Sequence, residues 1–131
     1  MNIALWILQV FLAVVFAAHG WIYATWSASK REAQHAKLGG QPGGEPLDLP
    51  PAFNTFIGIS ELLGAVGLIL PGVTGILTRL TPLAAAGLAI VMTGASVTHL
   101  SRREYRSGVF TVIVIAICMI VAYGRWLTIP M

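Results

Sequence analysis

The chain is 131 residues long, 56% hydrophobic and only 10% charged, where a soluble domain carries about a quarter charged residues. That balance excludes an ordinary soluble domain, and the net charge of +3 sits in short loops, where it reads as a membrane-topology signal with no nucleic-acid partner implied. Four apolar stretches reach the length of about 17–25 residues that a spanning helix needs, predicting helices over about 3–26, 53–70, 80–100 and 107–125. Together they account for the whole of 1–131, so the expectation is a single all-α transmembrane domain, a four-helix bundle of antiparallel, up-down topology.

Segment one opens on MNIALW, which carries no positive charge, and its apolar run is too long for the h-region of a secretory leader, so it is expected to stay in the protein. Within it Gln9, Phe16, His19 and Tyr23 are spaced seven, three and four residues apart, as one helical stripe requires. The connection over 27–52 begins SASKREAQHAK, which can prolong the helix into water until Gly39 and Gly40 stop it. Its remainder, rich in Gly and Pro, is either a plain connector or a lid over that face.

Segment two contains FIGISELLGAVGLILPG, an apolar run with Glu61 near its middle. A charge at the bilayer centre costs about 2.5–3.5 kcal/mol on insertion scales, so it must be neutralised, hydrated or used. Asn54, Ile57, Glu61, Gly64 and Leu68 share a stripe, in which Gly64 leaves room beside the carboxylate. Pro71 is expected to end this helix, and Thr81 followed by Pro82 reads as the cap and first residue of the next. Small residues in segments two and three predict that these two pack closely.

Segment three carries Ser96 and, on a stripe with Leu88, Met92 and Ala95, His99 near its end. Segment four is bulky and β-branched, a wall facing lipid, and its lone Cys118 rules out a disulfide within the chain. Lys30, Arg31 and Lys37 in one loop and Arg102, Arg103 and Arg106 in another, against Arg79 and Arg125 on the opposite side, predict an inner (plasma) membrane protein with loops 27–52 and 100–107 cytoplasmic and both termini outside.

At 1.5 Å per residue, Glu61 lies about 12 Å and His19 about 7 Å from the cytoplasmic face. If the stripes converge, a small cavity opens toward that face, lined by Glu61, His19, Tyr23, Asn54, Gly64, Ser96 and His99. Glu61 and His19 are the candidate catalytic or proton-handling pair and the others candidate ligand contacts; a helix-to-helix clamp without chemistry is the alternative. His99, followed by RRE, reads equally well as an interfacial anchor. No metal site is expected, and two histidines on different helices are too little to make haem the expectation.

HGW at His19–Trp21, ELLGAVGLILP at Glu61–Pro71, TPLAAAGLAIVMTGASVTH at Thr81–His99, RRE at Arg102–Glu104 and YGR at Tyr123–Arg125, in this order and spacing, resemble the DoxX-like family of small four-helix membrane proteins. The resemblance covers nearly all of the chain except the long first loop. That family usually has a lysine three positions after the glycine of helix one, where this chain has Tyr23, which leaves His19 or Tyr23 as partner of Glu61. The resemblance implies roles in quinone-linked sulfur oxidation, terminal oxidase or oxidative-stress complexes and, in distant animal relatives, receptor assembly.

Three functions are therefore open. In the first, the bundle binds a lipophilic ligand such as a quinone within a redox or stress-response assembly. In the second, a protonated Glu61 acts as the acid of a membrane enzyme, an isomerase or cyclase working on an isoprenoid or sterol-like substrate. The third is a scaffold or assembly factor for another membrane protein, or a homo-oligomer, with Glu61 recognising a partner helix.

Overall fold

The computed structural model of the protein describes residues 2–38 and 50–128, so the Gly and Pro run expected at 39–49 lies outside the described residues. Among the described residues there are α-helices and no strand: α1 (Asn2–Thr25), α2 (Ala28–Lys37), α3 (Pro51–Thr74), α4 (Leu80–Ser101) and α5 (Tyr105–Tyr123), the last continued by a π-helical turn, Gly124–Thr128. Four helices are long and apolar enough to cross a membrane, namely α1, α3, α4 and α5 with its π turn. They form the expected bundle.

α1 buries Leu5, Gln9, Leu12, Phe16 and Gly20, a single stripe at spacings of three and four, while Ile3, Ile7, Val10 and Val14 face outward. It stops at Thr25. Ser27 then takes an extended conformation, φ −67° and ψ 157°, and a separate polar helix, α2, begins. The stretch expected to prolong α1 is thus its own element, with His35 and Lys37 in the last turn, where the helix dipole favours cations.

α3 starts on Pro50 and Pro51, the latter in the first helical turn, where a missing N–H goes unnoticed. Contrary to expectation it does not stop at Pro71. It runs on to Thr74 and ends on Gly75, whose φ of 70° only a glycine adopts easily. The reason lies in neighbouring helices. Pro71 cannot donate to the carbonyl of Gly67 four residues back, and the Thr81 hydroxyl of α4 donates to it instead, at 3.1 Å. The next carbonyl, Leu68 O, accepts from Gln9 Nε2 of α1 at 2.6 Å. Thr81 is therefore no helix cap: α4 is already helical at Leu80, and Thr81 is fully buried against α3.

The most extensive packing joins α1 to α3 and α4 to α5; α3 against α4 comes next, and α1 meets α5 lightly. Segments two and three, expected to pack closely, do meet along α3 and α4, through Gly64 against Leu88 and Gly67 against Ala84. At the α3–α4 crossing small residues admit side chains, whereas at the α1–α3 crossing they admit backbone. A Cβ at Gly58 would stand 2.5 Å from Ala24 N and 2.7 Å from Gly20 O. The core holds Leu12, Phe16, Leu68, Leu88, Met92, Val114, Cys118 and Val121. Much of the rest of α5, including Val109, Phe110, Ile113 and Ile120, faces outward as a lipid wall would.

Candidate functional site

Backbone contact between Gly20 and Gly58 sets the distance between the residues beside them. A Cβ at Gly20 would lie 3.0 Å from Glu61 Cβ, so Glu61 sits directly against α1. His19 Nδ1 hydrogen-bonds Glu61 Oε2 at 2.6 Å. The carboxylate is fully buried, whereas the His19 side chain is 43% exposed. Glu61 Oε1 is buried and, among the described residues, has no hydrogen-bond partner. Buried oxygens left in this state are rare, because each forgoes the solvation it had in water.

Tyr23 extends the pair along α1. Its ring stacks with that of His19, centroids 4.4 Å apart, and the Arg31 guanidinium of α2 stands 5.2 Å from the same Tyr23 ring. His19, Glu61 and Tyr23 thus come together as the sequence suggested. Asn54 is buried on the Glu61 stripe, nearly two turns toward the start of α3, and Ser96 is buried on α4.

Two expected members of the cavity are placed differently. Gly64 does not leave open space beside the carboxylate: a Cβ there would come within 2.6 Å of Leu88 Cδ2, so α4 fills the gap. His99 belongs to another cluster, with its Nδ1 2.6 Å from Glu104 Oε2. Glu61 is ten residues into α3 and His99 two residues from the end of α4, which separates them by about 12 Å along the bundle. His19 and His99, on different helices, are each bonded to a carboxylate.

An apolar space lies on the outside of the bundle, between the two helices that carry the pair. Val10, Ala13, Val14 and Ala17 of α1 and Leu62, Ala65, Val66 and Ile69 of α3 line an apolar furrow of about 460 Å³. Its near end is set by Ala17, two residues from His19, and Leu62, next to Glu61. A second apolar concavity, about 410 Å³, lies at the other end of the bundle between Leu5 and residues of α5 and the π turn.

Two further polar clusters escaped the sequence reading. In one, Arg125 of the π turn donates to Gln9 Oε1 and to Asn2 Oδ1, both at 2.6 Å, and lies 5.3 Å from the Trp6 ring. Gln9 and Arg125 are 116 positions apart, and no local periodicity links them. The other is Glu104, whose Oε1 is 3.3 Å from His35 Nε2 while Oε2 takes His99. Burial alone would raise the Glu104 pKa, but hydrogen bonds and charge from His99 and His35 outweigh it and hold the carboxyl below its ordinary range. His35 lies on the stretch expected to prolong the first helix, and its pairing with Glu104 depends on α2 being a separate element.

Four apolar helices, with an acid and an imidazole joined between the first and second of them, define a multi-pass membrane protein. The chain belongs to the DoxX-like family, whose profile matches residues 7–121. Neither a curated protein nor a solved structure matches it.

Proposed function

We propose that this protein binds a lipophilic ligand whose polar head meets His19 and Glu61 and whose tail lies in the α1–α3 furrow. The observation that supports the reading is that the two helices lining an apolar furrow also hold, between them, a fully buried carboxylate with one oxygen unpartnered among the described residues. A head group able to donate one hydrogen bond matches Glu61 Oε1, and the half-exposed His19 ring can donate or accept beside it. Hydrocarbon lies in the furrow without any polar group to satisfy. An isoprenoid quinone, whose quinol form donates through its hydroxyls, is the first candidate, and the setting is a redox or stress-response assembly. The basic residues at the α2 end favour an orientation with that end in the cytoplasm and both termini outside, which fits an inner-membrane setting for this reading.

The experiment is lipid mass spectrometry on the purified protein and on Glu61→Gln, which keeps the shape and removes the charge. We expect a quinone-class lipid to co-purify with the native chain and to be largely lost from the variant. Equal retention by two equally folded proteins sinks the reading.

A second reading uses the same short His19–Glu61 bond: an acid and an imidazole in contact can pass a proton to an isoprenoid substrate in the furrow. Turnover of a polyprenyl or epoxide substrate by membranes containing the protein, abolished in Glu61→Gln, would mark it as an enzyme. Inertness across a substrate panel counts against it.

A further inference from the structure

α2 is the one helix among the described residues that does not span, and it shares no extensive packing with any helix that does. Side chains hold it in place. Lys30 Nζ stands 4.2 Å from the Trp26 ring, and Arg31 Nη1 donates to Trp26 O at 2.6 Å, folding back across the break between α1 and α2. Arg31 is 8% exposed despite lying on a polar helix, because it packs on Tyr23, the ring that stacks with His19. One turn further along the same face of α2, His35 reaches Glu104 in the turn between α4 and α5. A run of contacts therefore connects Glu61, His19, Tyr23 and Arg31 to α2, and α2 through His35 to Glu104.

The two imidazoles at Glu104 are not equivalent. His99 is bonded at 2.6 Å within its own helix end and turn, while His35 is at 3.3 Å and comes from the separate helix. The rings of His35 and His99 stack with centroids 6.3 Å apart. The Glu104 carboxylate bonds both rings at once, one through each oxygen. The other charged groups on these elements are Lys30, Arg31, Glu32 and Lys37 on α2, Arg102 and Arg103 in the turn and Arg106 at the start of α5. They are mainly cations, which makes the Glu104 charge the anionic tie on that side.

We infer that α2 is a strap over the cytoplasm-facing side of the His19–Glu61 pair, latched by Glu104 through His35, so that releasing the latch lifts Arg31 from Tyr23 and further exposes the already half-exposed His19. The strap regulates access to the site proposed above and rests on that reading only for what is admitted. Its test requires no ligand, so the two can fail separately.

The full-length chain is reconstituted in lipid nanodiscs, native and as Glu104→Gln, near neutral pH. Two quantities are read: amide hydrogen exchange over 28–38, and the rate of His19 modification by diethyl pyrocarbonate, located by mass spectrometry. The variant is expected to exchange over 28–38 about tenfold faster and to modify His19 several-fold faster, with exchange in the middle of α3 unchanged. Unchanged exchange over 28–38 overturns the latch, and faster exchange with unchanged His19 modification overturns the strap. If α3 also loses protection, His35→Ala, which leaves the His99–Glu104 bond in place, decides by the same two readouts.

Discussion

Glu61 keeps one oxygen on His19 and buries the other without a partner among the described residues, so its surroundings favour a further donor. Removing His19 leaves both oxygens in that condition. We expect His19→Phe, which retains a ring to stack on Tyr23, to destabilise the bundle by about 1–3 kcal/mol, the penalty for an unmatched buried polar group. Adding Glu61→Met to that variant should recover most of the loss, because an apolar pair needs no partner in an apolar site. Detergent melting of the two single variants and the double variant measures the coupling; simple additivity would mean that the 2.6 Å bond is energetically idle. Gly58 sets this bond from the backbone. Gly58→Ala forces a Cβ against Ala24 N and Gly20 O, neither of which can rotate away, and is expected to lose about 1–3 kcal/mol. Gly87, with nothing within 4 Å of a built Cβ, is the contrasting position: Gly87→Ala should gain about 0.5–1 kcal/mol from helix propensity. Melting temperatures that move the same way in both would remove the Gly20–Gly58 contact as the cause.

At the scale of elements, α3 survives an internal proline because α4 and α1 supply donors to the carbonyls behind it. Thr81→Val keeps the shape of the side chain and removes the hydroxyl, so Gly67 O loses its donor. A loss of about 1–3 kcal/mol is expected, with Thr81→Ser close to native; a melting temperature unchanged in Thr81→Val would show that the carbonyl is satisfied in some other way. Proline and Thr81 also mark where sequence reasoning stopped. Hydropathy located all four spanning helices, since twenty apolar residues have few other fates in water, and the seven-residue and four-residue spacings put His19, Tyr23 and Glu61 together. The compensation at Pro71 was not legible, as it depends on which helices become neighbours. Gly64 misled for the same reason: a glycine signals close approach but does not name what approaches, and here it is Leu88. Gln9 and Arg125, from opposite ends of the chain, needed the bundle to be closed before they could be seen as partners.

For the molecule as a whole, the polar groups lie at three levels along a bundle whose first helix alone, at 24 residues, is about 36 Å long. Arg125, Gln9 and Asn2 tie the ends of the chain together at one face; His19 and Glu61 lie within the apolar span; His35, Glu104 and His99 tie α2 to the opposite face. The middle level lies between helices that pack extensively, whereas the last holds an element that packs on nothing else extensively. Stability at that face should therefore follow the Glu104 charge. Because the folded carboxyl titrates below the ordinary 4.5, its contribution is complete above about pH 4.5 and is lost as the pH falls through the lower folded value. Melting curves of the native chain and Glu104→Gln, recorded in detergent from neutral pH downward, should differ most near neutrality and converge in acid, since protonation does to the native side chain what the substitution does permanently. A gap that holds constant across the acid range would mean that the Glu104 charge does not bind α2 to the bundle.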